Sequence, residues 1–131
     1  MTVKVGTKTA VRYGPVILWA LLILTVSSIP NLSAPGTQFR FIDKIAHIIE
    51  YGIFGYLLTS AWIPPAKMYS RKRIVIVVTI GILYGILDEI YQSCIPGRES
   101  DPFDVLADAI GVCAAIVLWI VLSRKRVSIS H

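Results

Sequence analysis

Four apolar runs alternate with short polar segments along the chain, at about residues 15–29, 41–63, 74–91 and 103–122. Each approaches the ~17 to 25 residues that a helix needs to cross a bilayer. The segments between them carry turn formers: Pro30-Asn-Leu-Ser-Ala-Pro-Gly36, then Pro64-Pro65 with a basic tail, then Pro96-Gly97. The pattern predicts an all-α membrane protein of four transmembrane helices, joined by short loops and packed as sequential neighbours in one domain over residues 1–131. No internal repeat or low-complexity tract interrupts it.

The polar positions in and beside these runs follow helical spacing. Asp43, His47 and Glu50 stand at i, i+4, i+7 and so keep to one stripe of the second helix, with Tyr51 close beside it. On the third run Asp88 and Gln92 share a face with Gly81 and Gly85, and on the fourth Asp104 and Asp108 share a face with Gly111 and Ala115. Small residues at that spacing let helices approach closely within a membrane. At ~1.5 Å per residue Glu50 lies roughly 10 Å beyond Asp43, Asp88 lies roughly 20 Å beyond Ile74, and Asp108 is one turn into the fourth helix. Three helices thus bring carboxylates to a similar level. An ionised carboxylate facing lipid costs about 2.5 kcal/mol or more near the bilayer centre and less toward the interface. The acids are therefore expected to converge on one another, on a cation, or on water.

Composition strengthens the membrane assignment: 131 residues that are 55% hydrophobic, with a mean hydropathy of +0.69, exceed what a soluble domain of this size buries. A net charge of +5 would point to nucleic acid in a soluble protein. Here the basic residues cluster at the ends of apolar runs, where they set topology instead. Lys4, Lys8, Arg12, Lys67, Arg71, Lys72, Arg73, Arg124, Lys125 and Arg126 fall on one side, against Arg40, Lys44 and Arg98 on the other. Both termini and the middle loop are accordingly expected in the cytoplasm, with the chain in a bacterial cytoplasmic (inner) membrane. All 8 acids gather at the opposite, outer face. The first run could be mistaken for a signal peptide, but cleavage after Ala34 would place Pro35 directly downstream, so a retained first helix is expected. Cys94 and Cys113 have no metal-site or disulfide-framework spacing and read as packing residues.

Candidate chemistry collects at the outer face. His47, Asp43, Glu50 and Asp88 form a hypothetical acid/base set, and the same four offer imidazole and hard oxygen ligands to a divalent metal. Arg98, with its planar fork, and Lys44 suit a phosphate or another anionic headgroup, with Gln92 beside them. Glu89, Asp104, Asp108 and Tyr51 read as structural polar groups. Structural alternatives stand next to each role: His47 bonded to Asp43 or Glu50 to satisfy a helix entrance, Asp88 and Glu89 paired with Arg98 or Lys44, and Asp104 as a cap where the fourth helix begins. The basic clusters Arg71–Arg73 and Arg124–Arg126 anchor topology and contact anionic lipid. The sequence demands no cofactor.

These residues also carry a family resemblance. Ser27-Ser-Ile-Pro30, Asp43-Lys44-x-x-His47-x-x-Glu50-Tyr51, Asp88-Glu89-x-x-Gln92, and Pro96-Gly-Arg98 followed by Asp104 and Asp108 resemble, in order and over most of the chain, the VanZ-like family of bacterial membrane proteins. Asp108 departs from the pattern, where Asn is the expected residue. The family is named for a factor associated with resistance to the glycopeptide teicoplanin, so the resemblance implies a four-helix protein of the cell envelope with a link to antibiotic resistance. Three activities remain open at this point: an enzyme acting on a lipid-linked envelope substrate; a non-catalytic module that binds an envelope ligand; and ion or proton translocation. Translocation fits least, because the inner halves of the runs lack ionisable groups, although an oligomer would supply a further path.

Overall fold

A computed structural model describes the backbone of residues 3–32, 37–63 and 70–129, with side chains placed over residues 9–32, 40–63 and 70–124. Four helices account for all regular structure among the described residues: α1 Val3–Ser27, α2 Thr37–Trp62, α3 Arg71–Gln92 and α4 Pro102–Ile129. The rejected cleavage position at Ala34-Pro35, the Pro64-Pro65 loop with Lys67, and the side chains of Lys4, Lys8, Lys125 and Arg126 lie outside the described residues.

The helices outrun the apolar segments at most ends. α1 continues through Arg12 to Val3, so that Pro15 lies inside it rather than at its start. Long basic side chains keep their heads in water while the helix carries on beyond the apolar layer. α1 stops at Ser27, three residues before Pro30, whose ring disfavours helical geometry at the residue preceding it. At the start of α4 Asp101 is the cap: its Oδ1 accepts the N–H of Phe103 at 3.0 Å, Pro102 takes the first helical position, and Asp104 adds an acid to the first turn.

Among the described residues, three helices are long and apolar enough to cross a membrane, over Thr9–Ser27, Arg71–Gln92 and Pro102–Arg124. α2, expected as the second of four transmembrane helices, is not among them. Its N-terminal half carries Arg40, Asp43, Lys44, His47 and Glu50, and those groups lower its hydropathy even though the helix has 26 residues. A belt of exposed apolar side chains covers the remaining surface, with Leu18 71%, Leu87 61% and Val117 60% exposed. That is a lipid-facing surface, since a water-facing one of this extent would aggregate.

Helix packing explains which glycines are needed. α2 and α4 make the most extensive contact in the bundle. A Cβ on Gly111 would meet the Ile48 carbonyl at 2.5 Å, and one on Gly55 would meet the Val112 Cα at 2.8 Å. On α3, Gly81 receives the Val112 side chain and Gly85 receives Asp108, so the small stripes on both helices close the bundle as their spacing predicts. α1 is pinned to the others by Trp19 Nε1–H donating to the Glu50 carbonyl at 3.0 Å and Tyr84 O–H donating to the Ala20 carbonyl at 2.6 Å. Gly97, with φ +76°, turns the α3–α4 loop against Asn31, where any side chain would collide.

The end of α2 opposite the acids is capped from outside. Arg12 Nε–H donates to the Ala61 carbonyl, Arg73 to that of Trp62 at 3.4 Å, and Trp119 Nε1–H to that of Ile63 at 3.1 Å. Terminal carbonyls that the helix cannot satisfy are thus met by two cations and an indole, with charges favourable to the negative end of the helix dipole.

Candidate functional site

The acidic end is built from α2, α3, α4 and the loop joining the last two. His47, buried on α2, bonds through Nδ1 to Oδ1 of the fully buried Asp108 on α4, at 2.8 Å. The partner anticipated from helical spacing was Asp43 or Glu50 on the same helix; the bond instead crosses to the neighbouring one. Gly85 makes room for it, since Asp108 Oδ2 packs where a Cβ would stand. A carboxylate on one ring nitrogen fixes the orientation of the imidazole and leaves its other nitrogen for chemistry.

Lys44 stands one turn before His47 on α2 and holds two acids of α4 and its cap, Asp104 Oδ1 at 2.7 Å and Asp101 Oδ2 at 2.8 Å. Asp104 is buried, so its charge is matched in place rather than exposed to lipid. The Lys44 ammonium also holds the Asp101 carboxyl below the usual carboxylate range, assisted by the N–H of Phe103. Glu89 Oε1 accepts the Asp101 N–H at 2.7 Å and ties α3 to the same corner. Lys44 therefore pairs with Asp101 and Asp104, whereas the sequence alternatives named Asp88 and Glu89 as its partners. Arg40 reaches Glu99 at 3.3 Å across an exposed pair that contributes little.

A second polar chain runs along α3. Gln92 Nε2–H donates to Asp88 Oδ2 at 2.9 Å and contacts Ser27 Oγ of α1 at 3.2 Å. Between the two chains lies Tyr51, with 0% of its surface exposed, parallel to the His47 ring at 6.3 Å and edge-on to Phe54 at 6.0 Å. Tyr84 closes the aromatic floor beneath, 5.0 Å from Phe54. Below it the core is apolar, with Ile23, Leu58, Val77 and Val112 buried.

The bonding at this end is incomplete. Tyr51 Oη, Asp88 Oδ1, Glu89 Oε2, Asp108 Oδ2 and Arg98 Nε are buried and have no hydrogen-bond partner among the described residues. Every such side-chain atom belongs to the acidic end. Glu50, half-buried on α2, lies within electrostatic range of His47, Asp88, Asp108 and Arg98 and so marks the space these groups share. A buried polar atom without a partner costs roughly 1–3 kcal/mol, so these five call for partners from outside the described residues, whether water or a ligand.

Of the four side chains expected to hold a metal, Asp43 and His47 come together with Asp104, their ligating atoms within 4.8 Å of one another; Glu50 and Asp88 do not belong to that grouping. The set of one imidazole and two carboxylates suits a divalent ion. Lys44 already places a cation on Asp104. Asp101 and Ser27 are the site residues missing from the sequence assignment. The Asp-Pro pair at residues 101–102 was the available signal for the first, as a helix-start signature. The second stands in the Ser27-Ser-Ile-Pro30 element, which was the signal available for it.

No curated protein and no solved structure matches the sequence. The family model for VanZ/LLP1 does match, over residues 7–123, and includes every group assembled around His47. By that match the chain, a membrane protein in its surface and its helices, belongs to the VanZ/LLP1 family.

Proposed function

We propose that this protein binds the phosphate-bearing headgroup of a lipid-linked envelope molecule at the outer face of a bacterial cytoplasmic membrane. All four helices cross the bilayer in this arrangement, with both termini and the α2–α3 loop in the cytoplasm, as the distribution of basic residues favours. α2 can cross despite its charges because Lys44 and His47 turn them toward α4, away from lipid. At ~1.5 Å per residue its 26 residues reach ~39 Å, more than the ~30 Å hydrocarbon layer.

The observation that carries the proposal is the set of five buried, unpartnered polar atoms. Three are carboxylate oxygens, which accept; one is a guanidinium N–H, which donates; the fifth is a phenol, which does either. A ligand that completes them offers several hydroxyl or amine donors and one anionic acceptor, which describes a sugar or polyol phosphate. Arg98 takes the phosphate, and Asp88, Glu89, Asp108 and Tyr51 take the donors. The family name carries an association with glycopeptide resistance, and an envelope headgroup is the class of molecule through which such a phenotype would arise.

A catalytic version is favoured by one specific feature. The His47–Asp108 pair is a positioned imidazole with a buried carboxylate behind it, suited to move a proton at the headgroup. Asp43 and Asp104, next to His47, would hold a divalent ion against the same phosphate.

Untargeted lipid and envelope-precursor profiling of a deletion strain, complemented with wild type, Arg98→Gln, Asp88→Asn or His47→Ala, tests both versions. Binding predicts a phosphate-headed species whose level wild type restores and whose capture by the purified protein falls roughly tenfold or more in Arg98→Gln, the loss of one charge-assisted bond. Catalysis predicts that the substrate accumulates in His47→Ala while its capture persists. A profile indifferent to the deletion and to every variant would overturn the proposal.

A further inference from the structure

Three buried carboxyls at the acidic end share one pattern, with a single oxygen bonded and the other open. Asp88 Oδ2 accepts the Gln92 N–H at 2.9 Å, Asp108 Oδ1 bonds to His47 Nδ1 at 2.8 Å, and Glu89 Oε1 accepts the Asp101 N–H at 2.7 Å. Asp88 Oδ1, Asp108 Oδ2 and Glu89 Oε2 have no partner among the described residues. Glu89 belongs to the corner where α4 begins. The other two face a common space. Asp108 Oδ2 packs over Gly85, and Asp88 stands one turn further along the same side of α3, roughly 4.5 Å higher. Asp88, Asp108 and Glu50 all lie within electrostatic range of the Tyr51 hydroxyl, whose oxygen is itself unpartnered among the described residues. With Asp88 5%, Asp108 1% and Tyr51 0% exposed, these open atoms are inside the protein.

Charge decides what fits there. Lys44 is held by Asp101 and Asp104, and His47 by Asp108. Glu50 and Asp88 form no ion pair among the described residues, and the further cation within range of Glu50 is Arg98. On the headgroup proposal Arg98 is taken up by the phosphate. A ligand whose donors were hydroxyls alone would then bring one more anion beside two carboxylates that lack a counter-charge. Buried charges are costly unless they are paired, and an ammonium supplies both a positive charge and three N–H donors. Those donors match three buried acceptors, Asp88 Oδ1, Asp108 Oδ2 and Tyr51 Oη. We infer that the headgroup is zwitterionic: beside the phosphate at Arg98 it carries a primary ammonium seated among Asp88, Asp108 and Tyr51, with the half-buried Glu50 adding its charge. The inference rests on the headgroup proposal above and requires that one of the donors it names be a primary amine.

The test offers the full chain in detergent an equimolar mixture of phosphatidylethanolamine, lysyl-phosphatidylglycerol, phosphatidylglycerol, phosphatidylcholine and diacylglycerol with matched acyl chains, in EDTA, and reads the bound lipid by native mass spectrometry. At least one of the two amine-bearing lipids should be retained about tenfold or more over phosphatidylglycerol, the equivalent of one charge-assisted bond. Which of the two leads tells whether the amine is linked through the phosphate or through an aminoacyl group. Phosphatidylcholine should fall with phosphatidylglycerol, because its quaternary nitrogen has the charge but no N–H. These wild-type ratios need no variant to fold. Asp88→Asn and Glu50→Gln, which remove charge at nearly constant volume, should each cut the amine preference to about threefold or less. Arg98→Gln should weaken every phosphate-bearing lipid alike and leave that preference in place. Equal retention of the amine-bearing lipids and phosphatidylglycerol overturns the inference while the headgroup proposal stands, whereas retention of no phosphate-bearing lipid above diacylglycerol overturns both. An amine preference unchanged in both carboxylate variants overturns the inference as well, and so does a preference for phosphatidylglycerol that appears when magnesium replaces EDTA, since a metal ion would then supply the charge.

Discussion

The two ends of this bundle solve the same problem differently. Each gathers polar groups where helices end, and at the basic end three of the last carbonyls of α2 receive Arg12, Arg73 and the Trp119 indole. At the acidic end some pairs are equally well made, His47 with Asp108 and Lys44 with Asp101 and Asp104, but five buried atoms have no partner among the described residues. A structural cluster can be completed from within the chain. A binding site has to leave valences for its ligand, and stability is lower by that amount until the ligand arrives. On the headgroup proposal, the contrast divides stabilisation at one end from recognition at the other.

The most forceful way to break this contrast is to remove the buried pair. Asp108→Leu leaves His47 without its partner and should cost about 3 kcal/mol of stability, as breaking one side of a buried pair does. The double variant His47→Leu/Asp108→Leu should recover most of that loss, since an apolar replacement of both partners is often close to neutral. Thermal unfolding in detergent measures both, and lipid capture should fail in each. If the double variant were stable and still captured its lipid, the acidic end would be a structural cluster like the other.

A smaller effect is expected at the basic end. Arg12→Met removes the cation from the Ala61 carbonyl and should lower stability by about 1 kcal/mol, with lipid capture and the envelope profile unchanged. Loss of capture at wild-type stability would show the two ends to be coupled.

The smallest effect is pH-dependent and lies at the rim. Asp101 titrates below its ordinary value because of Lys44 and the Phe103 N–H. A lowered folded value means that the pair's contribution is complete above the unfolded value of about 3.9 and disappears as pH falls through the folded one. Asp101 is partly exposed, so the contribution should stay under about 1 kcal/mol. Asp101→Asn should flatten the acid side of the stability curve measured from pH 2 to 6 by about that amount. An unchanged acid limb would show that Lys44 gains nothing from Asp101 and that Asp104 alone holds it.

How much of this was legible depends on how far each feature reaches along the chain. The runs around residues 74–91 and 103–122 became α3 and α4 because spanning length and apolarity are local properties. The spacing of Gly81 with Gly85 and of Gly111 with Ala115 correctly marked faces of close approach. α2 was less faithfully read: its apolar run is real, but its polar half removes it from the helices that hydropathy alone assigns to the membrane.

The sequence by itself determined four helices, the segregation of acids from bases, and the level at which Asp43, His47, Glu50, Asp88 and Asp108 sit, because helical rise and rotation convert residue number directly into height and face. The tertiary structure decided which groups meet. His47 turned to Asp108, Lys44 to Asp101 and Asp104, and Gln92 to Ser27, all across helices and 57 to 65 residues apart in the chain. Those pairings follow from the azimuth at which each helix presents its face to its neighbours. The azimuth is set by which small residues permit contact, a property of two surfaces together and of neither segment alone.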